Sequence, residues 1–95
     1  METELIIVRE YIRHSNIEPQ FIALLEENEL IHIQEIDNER FINCNELAEL
    51  ERYAHLYYDL SINVEGIDTI RHLLEKINLL QNEMKSLRNQ LRFFE

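Results

Sequence analysis

From Ile70 onward, apolar residues recur at alternating spacings of three and four: Ile70, Leu73, Ile77, Leu80, Met84, Leu87, Leu91 and Phe94. Eight consecutive a and d heptad positions are thereby apolar, which predicts a helix carrying one continuous hydrophobic stripe. Nothing after Gly66 breaks a helix. About 28 residues of helix span roughly 42 Å, more than the small domain beside it. Such a helix either pairs with another chain or folds back over its own domain with its far half frayed. A coiled-coil homodimer is the first expectation, with strand direction open. Lys76, Glu83 and Gln90 fall at g, and Gln81 and Arg88 at e. A parallel pair would set Glu83 near Arg88 of the partner subunit, and an antiparallel one Lys76 near Glu83 of the partner subunit. Isoleucine at a with leucine at d favours two strands in the parallel case.

Ninety-five residues allow one domain, or a small domain with a helical tail. Such a chain buries one modest core and has no room for a deep active-site cleft as well. Its 45% apolar content excludes a disordered acidic tail. A single Gly and a single Pro argue against all-β and dinucleotide-binding folds, which need several glycines for their turns. Nine Lys and Arg stand against 19 Asp and Glu, a net charge of −10. That sign opposes phosphate backbones and anionic membranes alike. Cys44 has no second cysteine to pair with, and His14, His32, His55 and His72 lack metal-ligand spacing. No metal and no cofactor are therefore expected. Met1 is followed by two acids within three residues, unlike a secretory leader. The longest apolar run, Leu5 to Val8, is far short of the ~20 residues of a membrane span. A cytoplasmic location is expected.

Leu5 to Val8 is short and mostly β-branched and reads as a strand or an extended lead-in, followed by a short helix over about Arg9–His14. Glu18-Pro19 marks the start of a second helix, since proline at the first helical position forgoes an N–H that has no partner anyway. Phe21, Ile22, Leu24 and Leu25 are its expected core face. The segment 30–36 alternates over its latter part, 37–39 signals a turn and Arg40-Phe41-Ile42 could return as a second strand: a small β-wing. Asn43 with Glu46 three residues later predicts an N-capped helix running to Leu60 and presenting Leu47, Leu50, Ala54, Tyr57 and Leu60. Ser61-Ile62-Asn63 interrupts, and Asn63 caps the last helix. The expected division is residues 1–62 as the head and 63–95 as the terminal helix.

Strand, helix, helix, wing, capped helix and long helix in that order resemble the MerR-like winged helix-turn-helix over residues 5–94. Ile17-Glu18-Pro19-Gln20-Phe21-Ile22 through Glu29-Leu30-Ile31, then Arg40-Phe41 and Glu46-Leu47, carry the likeness. Leu60-Ser61-Ile62-Asn63-Val64-Glu65-Gly66-Ile67, with Ile77-Asn78-Leu79-Leu80-Gln81-Asn82-Glu83 and Leu87-Arg88-Asn89-Gln90-Leu91, resembles its chaperone-modulator branch, the CbpM type. The fold class expected is mainly α, with a small β-wing and a long C-terminal coiled-coil helix. The resemblance implies a bacterial protein that binds and inhibits the J-domain of a DnaJ-like co-chaperone, CbpA. The wider class implies the alternative, a dimeric DNA-binding transcriptional regulator.

The charges discriminate between the two. In MerR-type regulators the second helix carries a Thr-Leu-Arg-Tyr-Tyr-like core; here the matching positions are Phe21, Ile22, Ala23, Leu24 and Leu25. Residues 1–50 hold 3 basic and 12 acidic side chains, a net of −9, against −1 for residues 51–95. Arg9, Arg13 and Arg40 offer few phosphate contacts against that field. The J-domains of the resembled family carry a basic helix, which an acidic surface complements. Glu26, Glu27, Glu29, Glu35, Asp37 and Glu39 are the candidate docking acids, with Arg52, Tyr53 and Tyr58 on the third helix as further contacts. Solvation of an ordinary acidic face accounts for any one of these acids equally simply. No phosphate loop, His–Cys pair or metal motif is present, so an enzyme is not expected.

Overall fold

The computed structural model describes residues 4–93. Short β-branched Leu5–Ile7 forms β1 and runs directly into α1, Val8–Arg13, so Val8 opens the helix rather than closing the strand. Helix α2, Pro19–Glu27, has its proline in the first turn as expected. Strands β2, Ile33–Ile36, and β3, Glu39–Asn43, make the wing. β3 is central in an antiparallel sheet ordered β1-β3-β2, so the first strand closes the wing from its other edge.

Polar residues make the tight joints. Among the described residues, Glu29, Asp37, Asn38 and Ser61 have positive φ without being glycine. At the end of α2 the Leu30 N–H donates to the Leu25 carbonyl (2.9 Å), and the Glu29 N–H donates to that of Glu26 (3.0 Å). This is a Schellman stop with glutamate in the left-handed position that glycine ordinarily takes. Glu29→Gly should therefore raise the stability of the domain by up to about 1 kcal/mol. A thermal melt showing no gain would contradict that account of the joint. Asp37 and Asn38 together, at φ 51° and 65°, turn the hairpin.

The chain's one glycine has a different task. The Gly66 N–H donates to Asn63 Oδ1 (2.8 Å), capping the last helix as expected. A Cβ at Gly66 would lie 2.8 Å from Ile62 Cγ2 and 3.0 Å from Asn63 Oδ1. Glycine is needed for close approach of that cap, not for its backbone angle.

The predicted cap at Asn43 is not formed: its side chain makes no cap hydrogen bond. Asn43 is instead the last residue of β3, paired with Leu5, and the Cys44 N–H donates to the Glu4 carbonyl (2.8 Å). Sheet pairing thus carries the extended chain through Asn43, and the α-helix starts only at Leu47. A 3₁₀ turn, Cys44–Glu46, leads into α3, Leu47–Ala54, which continues as one π-helical stretch, His55–Asp59. The extra residue per π turn sets the adjacent Tyr57 and Tyr58 on one flank of α2. Their ring centroids lie 4.5 and 5.4 Å from that of Phe21. The same change of phase turns Leu60 out to 55% exposure, against its expected place in the core.

Phe21, Ile22 and Leu25 of α2 meet Ile31, Ile42, Leu50, Tyr53, Val64 and Ile67 in one buried cluster. Leu24, expected there, is 38% exposed, because α2 buries only one narrow stripe. The first turn of α4, Val64–Phe93, belongs to this core through Val64 and Ile67, so buried residues lie on both sides of the 62/63 division. Thirty residues make α4 about 45 Å long. Every α4 residue from His72 to Phe93 is exposed. The radius of gyration, 17.6 Å, exceeds the ~12 Å of a compact chain of this length because that helix projects.

Candidate functional site

The surface a winged helix-turn-helix offers to a partner is built from α2 and the wing. Because α2 buries Phe21, Ile22 and Leu25, it turns Gln20, Ala23, Leu24 and Glu27 outward, with no basic side chain among them. On the wing, Gln34, Glu35 and Ile36 of β2 and the Asp37-Asn38 turn are exposed. The three arginines of residues 1–50 all face acids. Arg40 of β3 pairs with Glu26 of α2, Arg9 of α1 with Glu39 of β3 (3.3 Å), and Arg13 with Glu10 (3.5 Å). Exposed pairs of this kind contribute little stability, up to about 1 kcal/mol each. Their larger effect is on the surface potential, because each cancels a positive charge where DNA phosphates would approach.

Of the six candidate acids, Glu26 and Glu39 are thus engaged by these arginines. Glu27, Glu29, Glu35 and Asp37 are exposed and make no ion pair among the described residues. Glu46, the residue expected to complete a capping box, accepts from the His32 backbone N–H (3.2 Å) and lies 3.1 Å from His32 Nδ1. It ties the lead-in of β2 to the 3₁₀ turn.

A cavity of about 300 Å³ lies between α3 and α4, with Leu56, Ile67, Ile70 and Leu74 in its wall. Arg71 closes one side, held by Asp68 (3.2 Å) and Glu75 (3.3 Å), while its Nε is buried without a partner among the described residues. Arg52, a candidate contact, lines the same cavity and pairs with Glu49 (3.7 Å). Tyr53 lines it too but is only 4% exposed, so it belongs to the core and its expected place on a docking surface is corrected. Its side of α3 faces the first turns of α4, an arrangement that helical spacing alone did not reveal.

Burial, reinforced by the Glu49 carboxylate and opposed by Arg71 and Arg52, pushes the Tyr53 phenol above its ordinary 10.0. A phenol raised on folding is held protonated by the native state. Its contribution is therefore complete below pH 10 and is lost as pH rises through the folded value. Denaturation midpoints should fall above about pH 10, and Tyr53→Phe should flatten that fall. Equal alkaline slopes in the two proteins would exclude Tyr53 as a source.

A second, open groove of about 450 Å³ runs between the α1–α2 joint and the π stretch, lined by Tyr11, Ile17, Glu51, His55, Tyr58 and Asp59 among others. Tyr58, 38% exposed, accepts from the Glu18 N–H (3.0 Å), so this candidate contact also fastens the start of α2. His55 Nδ1 lies 2.7 Å from Asp59 Oδ2. Sequence reasoning missed both this pair and the Arg71 clamp. Their i, i+3 and i, i+4 spacings were visible, but nothing marked them apart from other helical ion pairs.

Along α4, Leu73, Ile77, Leu80, Met84, Leu87 and Leu91 are 49–68% exposed, all on the heptad stripe. Ile70, the first of the series, is half-buried against the head because it lines the α3–α4 cavity. Phe94 lies outside the described residues. Among the described residues no three His, Cys, Asp or Glu side chains form a metal-binding group, and no helix is long and apolar enough to cross a membrane.

The model of the MerR HTH family regulatory proteins matches residues 6–89, from β1 to the last turns of α4. The chain belongs to the MerR family. No curated protein and no solved structure matches it. Membership agrees with the architecture: a helix-turn-helix, a small antiparallel wing and a long C-terminal helix. MerR regulatory domains are typically non-catalytic. Within the MerR frame α2 is the second helix of the motif, and its outward face carries no basic side chain.

Proposed function

We propose that this MerR-family chain is a protein-binding modulator of the CbpM type, which docks on the J-domain of a DnaJ-like co-chaperone and inhibits it by masking. One observation carries the reading: the outward face of α2 has no basic side chain, and all three arginines of residues 1–50 are neutralised by acids. A net charge of −9 on that half repels phosphate and attracts a basic helix, raising the rate and selectivity of encounter. The exposed stripe of α4 supports action as a homodimer, since 1.5 Å of rise per residue leaves roughly 33 Å of apolar helix beyond the head. Titration calorimetry against a purified J-domain should show binding that weakens about tenfold when ionic strength is raised well above physiological. No binding at low salt would end this reading.

Family membership itself favours a second reading, a dimeric DNA-binding regulator, because the helix-turn-helix and wing are retained in full. A salt-sensitive mobility shift on a palindromic duplex is its test. Absence of a shift at low salt would remove it, since electrostatic binding is strongest there.

A further inference from the structure

We infer that the groove between the α1–α2 joint and the π-helical end of α3 is a seat for the arginine or lysine side chains of a basic helix on a protein partner. The inference deepens the reading of the chain as a binder of basic proteins and rests on it, but places the contact away from the α2–wing surface.

The groove has a cation's requirements in its walls. Glu51 and Asp59 supply two carboxylates, and neither Lys nor Arg is among the lining residues. Asp59 Oδ2 lies 2.7 Å from Nδ1 of His55, which holds the carboxylate in place at the groove's edge. Tyr11 and Tyr58 add phenol rings, whose faces attract guanidinium and ammonium groups. Ile17 and Ala54 provide an apolar floor for the methylene stem of such a side chain. Burial first, and the Glu51 charge after it, push the Tyr11 phenol up at the groove's wall.

The spacing of the acids points to a helix rather than a lone cation. Glu51 and Asp59 stand eight positions apart across the passage from α to π winding, which sets them about two turns apart on the side that lines the groove. A partner helix lying alongside presents cations at that separation from positions i and i+8, or one turn apart from i and i+4. The Tyr58 ring is fixed by edge contacts with Phe21 and Tyr57 (centroids 5.4 and 5.0 Å) and by the hydrogen bond from Glu18. The wall is therefore set before a partner arrives, which lowers the ordering cost of binding.

The test is an amide-resolved NMR titration of the full chain with an alanine-rich helical peptide carrying arginines at i, i+4 and i+8. The glutamate counterpart serves as control. Shifts should centre on Tyr11, Glu51, His55 and Asp59, and the double variant Glu51→Gln/Asp59→Asn should weaken binding about tenfold or more. Both positions are exposed, so the variant keeps the fold, and a matching far-UV spectrum checks this. Glu35→Gln/Asp37→Asn on the wing should change affinity less than twofold, roughly the scale of rim charges. Shifts centred on the wing, or unchanged affinity in the groove variant, would overturn the inference. So would concentration-dependent shifts in the groove without peptide, which Arg88→Gln/Arg92→Gln abolishes: the occupant would then be a second copy of the chain. The J-domain titration separates this inference from the functional reading. A J-domain bound equally well by the groove variant ends the groove assignment alone. Peptide seated in the groove with no J-domain bound ends the functional reading alone.

Discussion

The proposed pairing through α4 predicts that replacing Leu80 and Met84 by Asp gives a monomer, with the dissociation constant rising at least ~100-fold. Both side chains lie on the stripe of α4 and are more than half exposed in the single chain. Covering a Leu or Met side chain is worth roughly 1.5–3 kcal/mol. In a symmetric pair each substitution counts twice, and the new carboxylates face an apolar partner that cannot solvate them. The substitutions touch nothing in the head, whose core ends at Ile67 on this helix. Sedimentation equilibrium should therefore show a monomer with an intact helix-turn-helix. A wild-type chain that is monomeric at high concentration would refute the pairing.

Phe21→Ala is the second large effect. Phe21 is 1% exposed and lies tilted against Tyr57 while meeting Tyr58 edge-on, so one ring joins α2 to the π stretch. Truncating a buried phenylalanine costs about 3–5 kcal/mol, a large share of the 5–15 kcal/mol that typically stabilises a domain. Each lost aromatic pair adds about 0.5–1.5 kcal/mol. The melting temperature should drop by more than ~10 °C. Phe21→Leu, which keeps most of the volume, should cost much less in a chemical denaturation series. Equal losses for the two variants would mean that the ring's own contacts, and not its bulk, carry the whole effect.

Both effects rest on features of different visibility. The α4 stripe was legible because a helix that meets nothing on its own chain obeys only its period, over seven turns. Pro19 was equally plain, since a missing N–H has one natural place in a helix. Asn43 and Glu46 misled because a local signature competes with long-range pairing: Asn43 lies opposite Leu5 in the sheet. Leu60 was misplaced because the π stretch adds a residue to the turn, and no residue type announces that. The ion pairs that silence Arg9 and Arg40 join positions 30 and 14 residues apart. The overall charge could suggest them but could not assign the partners. The burial of Tyr53 is not legible in the sequence, because an aromatic on a polar helix fits an interface and a core equally well.

The projecting helix also gives the molecule an electrical polarity. Residues 1–50 carry a net −9, whereas residues 72–93 hold four basic and two acidic side chains. The chain is thus a dipole drawn out along a molecule 59 Å in its longest dimension. Aligning two such dipoles in the same sense brings the acidic heads side by side, within reach of each other's field. Opposed alignment moves the heads to far ends, several screening lengths apart at physiological salt. It also lays each basic tail toward the other's acids. The distribution of charge between head and helix therefore favours opposed over matched alignment, and it does so most strongly when little salt is present.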